Sequence, residues 1–140
     1  MVRLNKSMVN WGILGLGRMG NVFATAINET SNSKLISTAS KSGKSIENEK
    51  IINKENYDEL INDKNIDAVY ISTLNHTHKD LIKKLAKSRK NILCEKPITT
   101  NLKDAIEVKK IIEESKIDFF EAIAYYSHPQ TIELQKIINK

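Results

Sequence analysis

"MVNWGILGLGRMG", residues 8–20, sets a short apolar run against three closely spaced glycines, Gly15, Gly17 and Gly20. A Gly-x-Gly-x-x-Gly pattern alone is common, so its meaning depends on what flanks it. Before it, Val9 to Leu14 is apolar enough for a buried strand. After it, Met19, Val22, Phe23 and Ala26 fall at i, i+3, i+4 and i+7, which predicts a helix over 18–29 with that stripe facing inward. The glycines therefore stand at a strand-to-helix turn.

The rest of the chain repeats this alternation. "KLISTA" (34–39) reads as a second strand and "SKSGKS" (40–45) breaks it. Residues 45–62 carry scattered apolar positions and predict one or two short helices. "DAVYIS" (67–72) is a third strand, "TLNHTH" (73–78) the turn after it, and His78, Leu81, Ile82 and Leu85 a helical stripe. "NILC" (91–94) is a fourth strand. "EKPITTN" (95–101) is a loop, because proline does not continue a central strand. Thr100 or Asn101 caps a helix whose predicted inner face is Leu102, Ala105, Ile106, Val108 and Ile112. "DFFEAI" (118–123) is a fifth strand, and Pro129 opens a last helix to Ile138. Short strands that are apolar throughout, alternating with helices, predict a doubly wound α/β fold with a parallel sheet, Rossmann-like. The expected organisation is a dinucleotide-binding domain over 1–123 and a helical segment over 124–140 leading toward a second domain.

Composition narrows the class. The chain has 140 residues, 40% hydrophobic and 28% charged, enough for one domain with its own core. No stretch approaches the ~18 apolar residues of a membrane span, and the N-terminal residues lack a secretory apolar region. One cysteine, Cys94, precludes an internal disulfide and fits a cytoplasmic location. The net charge of +5 comes from lysines spread along the chain rather than a basic run, and no nucleic-acid-binding motif accompanies it. The expected partner is a dinucleotide, not nucleic acid or a membrane.

The physics of the glycine turn supports this. Gly15 permits a tight turn, Gly17 offers no side chain against a pyrophosphate, and Gly20 allows close helix–strand packing. The helix start, with Arg18 and Met19 in its first turn, supplies amides and partial positive charge for phosphates. About 20 residues on, an NAD site usually carries a carboxylate for the ribose hydroxyls. Here no acid stands between Glu29 and Glu47; the second strand ends instead in Ser40, Lys41, Ser42 and Lys44. Hydroxyls and cations suit a 2′-phosphate, so NADP is favoured over NAD.

Three further stretches, "STLNHTH" (72–78), "CEKPIT" (94–99) and "EAIAYYSHP" (121–129), together with "GILGLGRMG", resemble the N-terminal half of the Gfo/Idh/MocA oxidoreductases, across essentially the whole chain. The resemblance implies hydride transfer between a nicotinamide cofactor and a sugar or cyclitol hydroxyl. It implies that Thr73, Asn75, His78 and Glu95 lie on the cofactor side, that Lys96 reaches the reacting hydroxyl, and that His128 matches a site histidine. A cation there would stabilise negative charge on the substrate oxygen, and burial would make it a proton relay. Leu74 stands where the family usually has proline. The family's members are more than twice as long, with a second domain that builds the substrate pocket.

The candidate cofactor-binding set is thus Gly15, Gly17, Arg18, Met19, Gly20, Ser40, Lys41, Ser42, Lys44, Thr73, Asn75, His78 and Glu95, with Lys96 catalytic. His76 and His78 form His-x-His, but no third ligand stands at metal spacing, so no metal is expected. Cys94 reads as a buried strand residue rather than a nucleophile, and His128 reads equally as a helix cap. A stand-alone, non-catalytic nucleotide-binding module or a truncated gene product is the alternative, and a nucleic-acid binder the third. Apolar surface around Tyr125, Tyr126 and the last helix favours a homo-oligomer. The 140 residues alone are expected to bind cofactor without turning over a sugar.

Overall fold

A computed structural model describes residues 8–139. The sequence expectations for residues 1–7 and residue 140 lie outside the described residues. Six strands form one parallel sheet, β1 (Val9–Leu14), β2 (Ser33–Ala39), β3 (Ile52–Lys54), β4 (Ala68–Ile71), β5 (Asn91–Cys94) and β6 (Phe119–Glu121), in the spatial order β3-β2-β1-β4-β5-β6. The helices are α1 (Arg18–Ile27), α2 (Tyr57–Asn62), α3 (His78–Lys87), α4 (Leu102–Ser115) and α5 (Pro129–Ile138). The strand order reverses between β1 and β4, and that switch point is where open α/β sheets bind ligands.

The sheet has two unlike faces. On one, Leu60 and Ile61 of α2, Leu81, Ile82 and Leu85 of α3 and Val108 of α4 pack against Leu14, Val69, Ile71 and Ile92. On the other, Ala24 and Ile27 of α1 pack with Ile13, Leu35 and Tyr70. Phe23 joins Trp11 edge-on at 5.2 Å and leans on Tyr70 at 4.2 Å. Among the described residues no helix is long and apolar enough to cross a membrane.

The structure corrects three sequence expectations. β3 replaces one of the helices expected over 45–62. Its three residues, "INK", are too few to show a period, and it exists through its neighbours. Ser37 Oγ donates to the Ile52 carbonyl at 2.9 Å, and Thr38 Oγ1 donates to Asn53 Oδ1 at 2.6 Å. The inward face of α1 is Gly20, Ala24 and Ile27, whereas Met19 and Val22 are exposed. Close approach at Gly20 brings that face to the sheet, and of the expected stripe Phe23 alone packs against the core while Ala26 is exposed. On α4 only Val108 is fully buried, and Leu102 and Ile106 face out at 75% and 62% exposure.

The ends of the helices follow their caps. Asn56 accepts from the Glu59 amide to start α2, and Asn101, one of the two expected residues, accepts from the Asp104 amide to start α4. His128 Nδ1 accepts from the Gln130 amide at 3.2 Å, so this histidine serves as the α5 cap. Tyr125 and Tyr126 stack at 5.3 Å, and these rings and the apolar residues of α5 are exposed.

Candidate functional site

The glycine loop links β1 to α1. Gly15 has φ +92°, a left-handed conformation that L side chains rarely adopt. A Cβ there would also press on the Ser72 carbonyl at 2.9 Å. At Gly20 a Cβ would collide with the Gly15 carbonyl, so the helix can sit this close only without one. Gly17 differs from both: a Cβ would meet nothing within 4 Å. Packing therefore explains Gly15 and Gly20, while the space over Gly17 is open to solvent or a ligand.

Gly17 is also the N-cap of α1, and no side chain caps the helix there. The first-turn amides, Arg18 and Met19 among them, have no acceptor inside the helix. No acidic residue occupies that turn, so the partial positive charge of the helix start is unneutralised. Asn21 Nδ2 donates to the Gly17 carbonyl at 2.9 Å, and Ser72 Oγ donates to the Gly15 carbonyl at 2.7 Å. These bonds fix the loop from below and from β4. Open space, exposed amides and the absence of acid fit a dinucleotide pyrophosphate.

On one side of this loop lies the end of β2. Ser40 and Ser42 pair through their hydroxyls at 3.0 Å, and the Gly43 amide donates to the Ser40 carbonyl to close the turn. Lys41 stands 5.6 Å from the centre of the Tyr57 ring, and Lys44 is exposed. The turn carries no carboxylate.

On the other side lie the loops after β4 and β5. A single 3-10 turn over Asn75–Thr77 leaves Asn75 exposed. Thr73 Oγ1 and Thr77 Oγ1 are 2.7 Å apart. The Glu95–Pro97 loop is tied down at several points. Tyr70 Oη donates to Glu95 Oε1 at 2.5 Å, and the Ile98 amide donates to Glu121 Oε1 at 2.8 Å. Burial, followed by the Glu95 carboxylate, drives the Tyr70 phenol well above its ordinary range. Burial and then the Glu121 and Glu95 carboxylates push the Cys94 thiol up to about 12, so it stays protonated and inert near neutral pH.

His78 is fully buried, with Nδ1 2.9 Å from the Pro97 carbonyl oxygen and Nε2 3.2 Å from that of Thr73. Both ring nitrogens thus face carbonyl oxygens inside the protein. Lys96 is exposed, so the described residues do not supply the burial expected of a proton relay. It lines a cleft with Met19, Ala122, Ile123 and Tyr125, which brings it beside the first turn of α1. His76 is exposed, and no group of three or more metal-ligating side chains gathers among the described residues.

Sequence reasoning missed Tyr70, Ser72 and Glu121. Tyr70 and Glu121 hold the Lys96 loop, and Ser72 holds the glycine loop. Their place in or beside apolar strands gives no local sign of these bonds, and strand pairing brings their polar tips to their partners.

Residues 9–122 match the family described as "Oxidoreductase family, NAD-binding Rossmann fold". The chain is 32% identical over 114 residues to 2,7-anhydro-N-acetylneuraminate hydratase of Escherichia coli K12, covering 80% of this chain and 31% of that protein. It is 36% identical over 118 residues to myo-inositol 2-dehydrogenase of Thermotoga maritima, covering 75% of this chain and 32% of that protein. The fold matches that of scyllo-inositol dehydrogenase from Lactobacillus casei, solved with NAD(H) and scyllo-inositol, with a TM-score of 0.81 at 20% identity, over 94% of this chain and 41% of that one. The chain therefore spans about a third of the length of these curated relatives. A parallel sheet with this switch point, an open glycine cradle at an uncapped helix start and these matches assign the chain to the Gfo/Idh/MocA oxidoreductase family, as its dinucleotide-binding Rossmann domain.

Proposed function

We propose that this domain binds NADP in preference to NAD and serves an oxidoreductase that transfers hydride to or from a sugar or cyclitol hydroxyl. The open space over Gly17, at a helix start with no cap and no acid, carries the reading. In it, Gly17 and the amides of Arg18 and Met19 hold the pyrophosphate. Ser40, Lys41, Ser42 and Lys44 meet the 2′-phosphate, where a carboxylate would repel it. The other half of the dinucleotide crosses the switch point toward Asn75 and Lys96. The nicotinamide supplies the hydride acceptor or donor.

Lys96 donates a hydrogen bond from its ammonium to the substrate oxygen and stabilises the negative charge that develops there. A second domain supplies the opposite wall, excluding water and holding the reacting carbon close. The names of the two relatives, an anhydro-sugar-acid hydratase and an inositol dehydrogenase, support a polyhydroxylated substrate. The buried thiol of Cys94 supports a reducing, cytoplasmic setting.

Calorimetry on the purified chain tests this. NADPH is expected to bind roughly tenfold or more tightly than NADH, as one charge-assisted phosphate contact provides. Replacing Lys41 and Lys44 together with glutamine removes that difference. Equal affinities in the parent chain overturn the NADP preference, and an unchanged affinity in folded Gly17→Val overturns the site. Incubated with NADP and a panel of sugars and inositols, the 140 residues alone are expected to give no turnover. Steady turnover that disappears in Lys96→Ala would show a complete site within this domain.

A further inference from the structure

We propose that His78 is a positioning residue that locks the loop after β4 to the loop after β5, setting Asn75 and Lys96 at a fixed spacing for the nicotinamide half of the dinucleotide. This rests on the dinucleotide reading of the site. The ring is fully buried at the first residue of α3, with Nδ1 facing the Pro97 carbonyl at 2.9 Å and Nε2 facing the Thr73 carbonyl at 3.2 Å. Pro97 follows Lys96 directly, and Thr73 lies two residues before Asn75. Among the described residues no other side chain lies within hydrogen-bond distance of both loops. Thr73 and Thr77 pair within their own loop, and Tyr70 and Glu121 hold only the second one.

The chemistry at the two contacts is one-sided. A carbonyl oxygen accepts and cannot donate, so a hydrogen bond at either contact takes its proton from the ring. A neutral imidazole carries one N–H and satisfies one carbonyl in either tautomer, while a protonated ring satisfies both. Aliphatic residues of similar volume would fill the cavity and offer neither carbonyl a donor. The placement also fits the direction of the ligand. With the adenosine half over the β2 turn and the pyrophosphate over Gly17, only the second half reaches β4 and β5. A clamp between those loops acts on that half alone.

The test compares two probes, NADPH and 2′-phospho-ADP-ribose, which lacks the nicotinamide. The variants are His78→Asn, which retains a donor near the Nδ1 position, His78→Gln, which retains one near Nε2, and His78→Leu, which retains neither. His78→Leu is expected to bind 2′-phospho-ADP-ribose within twofold of the parent and NADPH about tenfold more weakly, with each amide variant in between. In amide NMR spectra, signals of both Asn75 and Lys96 move in His78→Leu, and each amide variant restores the loop whose contact it keeps. Equal weakening of both probes shows a purely structural role and overturns the proposal. So does an unchanged ratio of the two affinities in folded His78→Asn, which remains informative if His78→Leu does not fold. A parent chain that binds neither probe removes the dinucleotide reading itself, whereas a parent that binds both with no effect of the variants removes only the clamp.

Discussion

Tyr70, buried on β4, donates its phenolic proton to the carboxylate of Glu95, one residue before Lys96. The bond spans two neighbouring strands and anchors the loop that presents the candidate catalytic lysine. Tyr70→Phe keeps the ring against Phe23 and removes only this bond. A hydrogen bond to a charged acceptor contributes about 1.5–3 kcal/mol. Glu95 is partly open to water, so the low end, about 1.5 kcal/mol, is expected in urea denaturation. Backbone relaxation should show greater mobility at Lys96, and unchanged mobility there would separate the bond from the loop.

The three glycines should rank by what surrounds them. Gly17→Ala meets open space and should cost about 1 kcal/mol or less. Gly15→Ala and Gly20→Ala meet backbone carbonyls, and each should cost about 1–3 kcal/mol. Thermal melts of the three variants measure the order. A Gly17 variant as unstable as the others would assign that glycine to folding rather than to a ligand.

Alkaline pH should destabilise the chain through Cys94. Its folded thiol titrates near 12, above the ordinary value of 9.0. From about pH 9 upward the unfolded thiol loses its proton while the folded one retains it. The unfolded state then binds fewer protons, and stability falls as pH rises toward 12. The urea midpoint should drop between pH 8 and pH 10, and Cys94→Ala should flatten that slope. Iodoacetamide at pH 8 should leave the folded chain unmodified.

On α4 the corrected face makes a direct contrast. Leu102→Ser and Ile106→Ser change exposed positions and should shift stability by about 0.5 kcal/mol or less. Val108→Ala empties part of the core and should cost about 2 kcal/mol. Chemical denaturation of the three variants checks this, and a large loss at Ile106 would restore the face expected from periodicity.

The sequence by itself determined the alternation of apolar runs and helical stripes, and hence the doubly wound class. A strand buried on both faces and a helix amphipathic along one side leave local marks. It also determined the glycine turn, because a left-handed residue and a close helix start each call for a missing side chain. Only the tertiary structure decided that α1 turns Gly20, Ala24 and Ile27 to the sheet, that "INK" is a strand, and that α4 buries Val108 rather than Leu102 and Ile106. A hydrophobic stripe gives a direction only to within the width of a helix face, and the neighbour that covers it makes the choice. The site divides in the same way. The open Gly17 position belongs to a local pattern, whereas Lys96 is singled out only by the family resemblance. The ties from Tyr70 to Glu95, from Glu121 to Ile98, and from His78 to Thr73 and Pro97 were not legible in the sequence. Most of those partners lie 19 to 25 residues apart, and parallel strand pairing, which no local pattern encodes, brings them together.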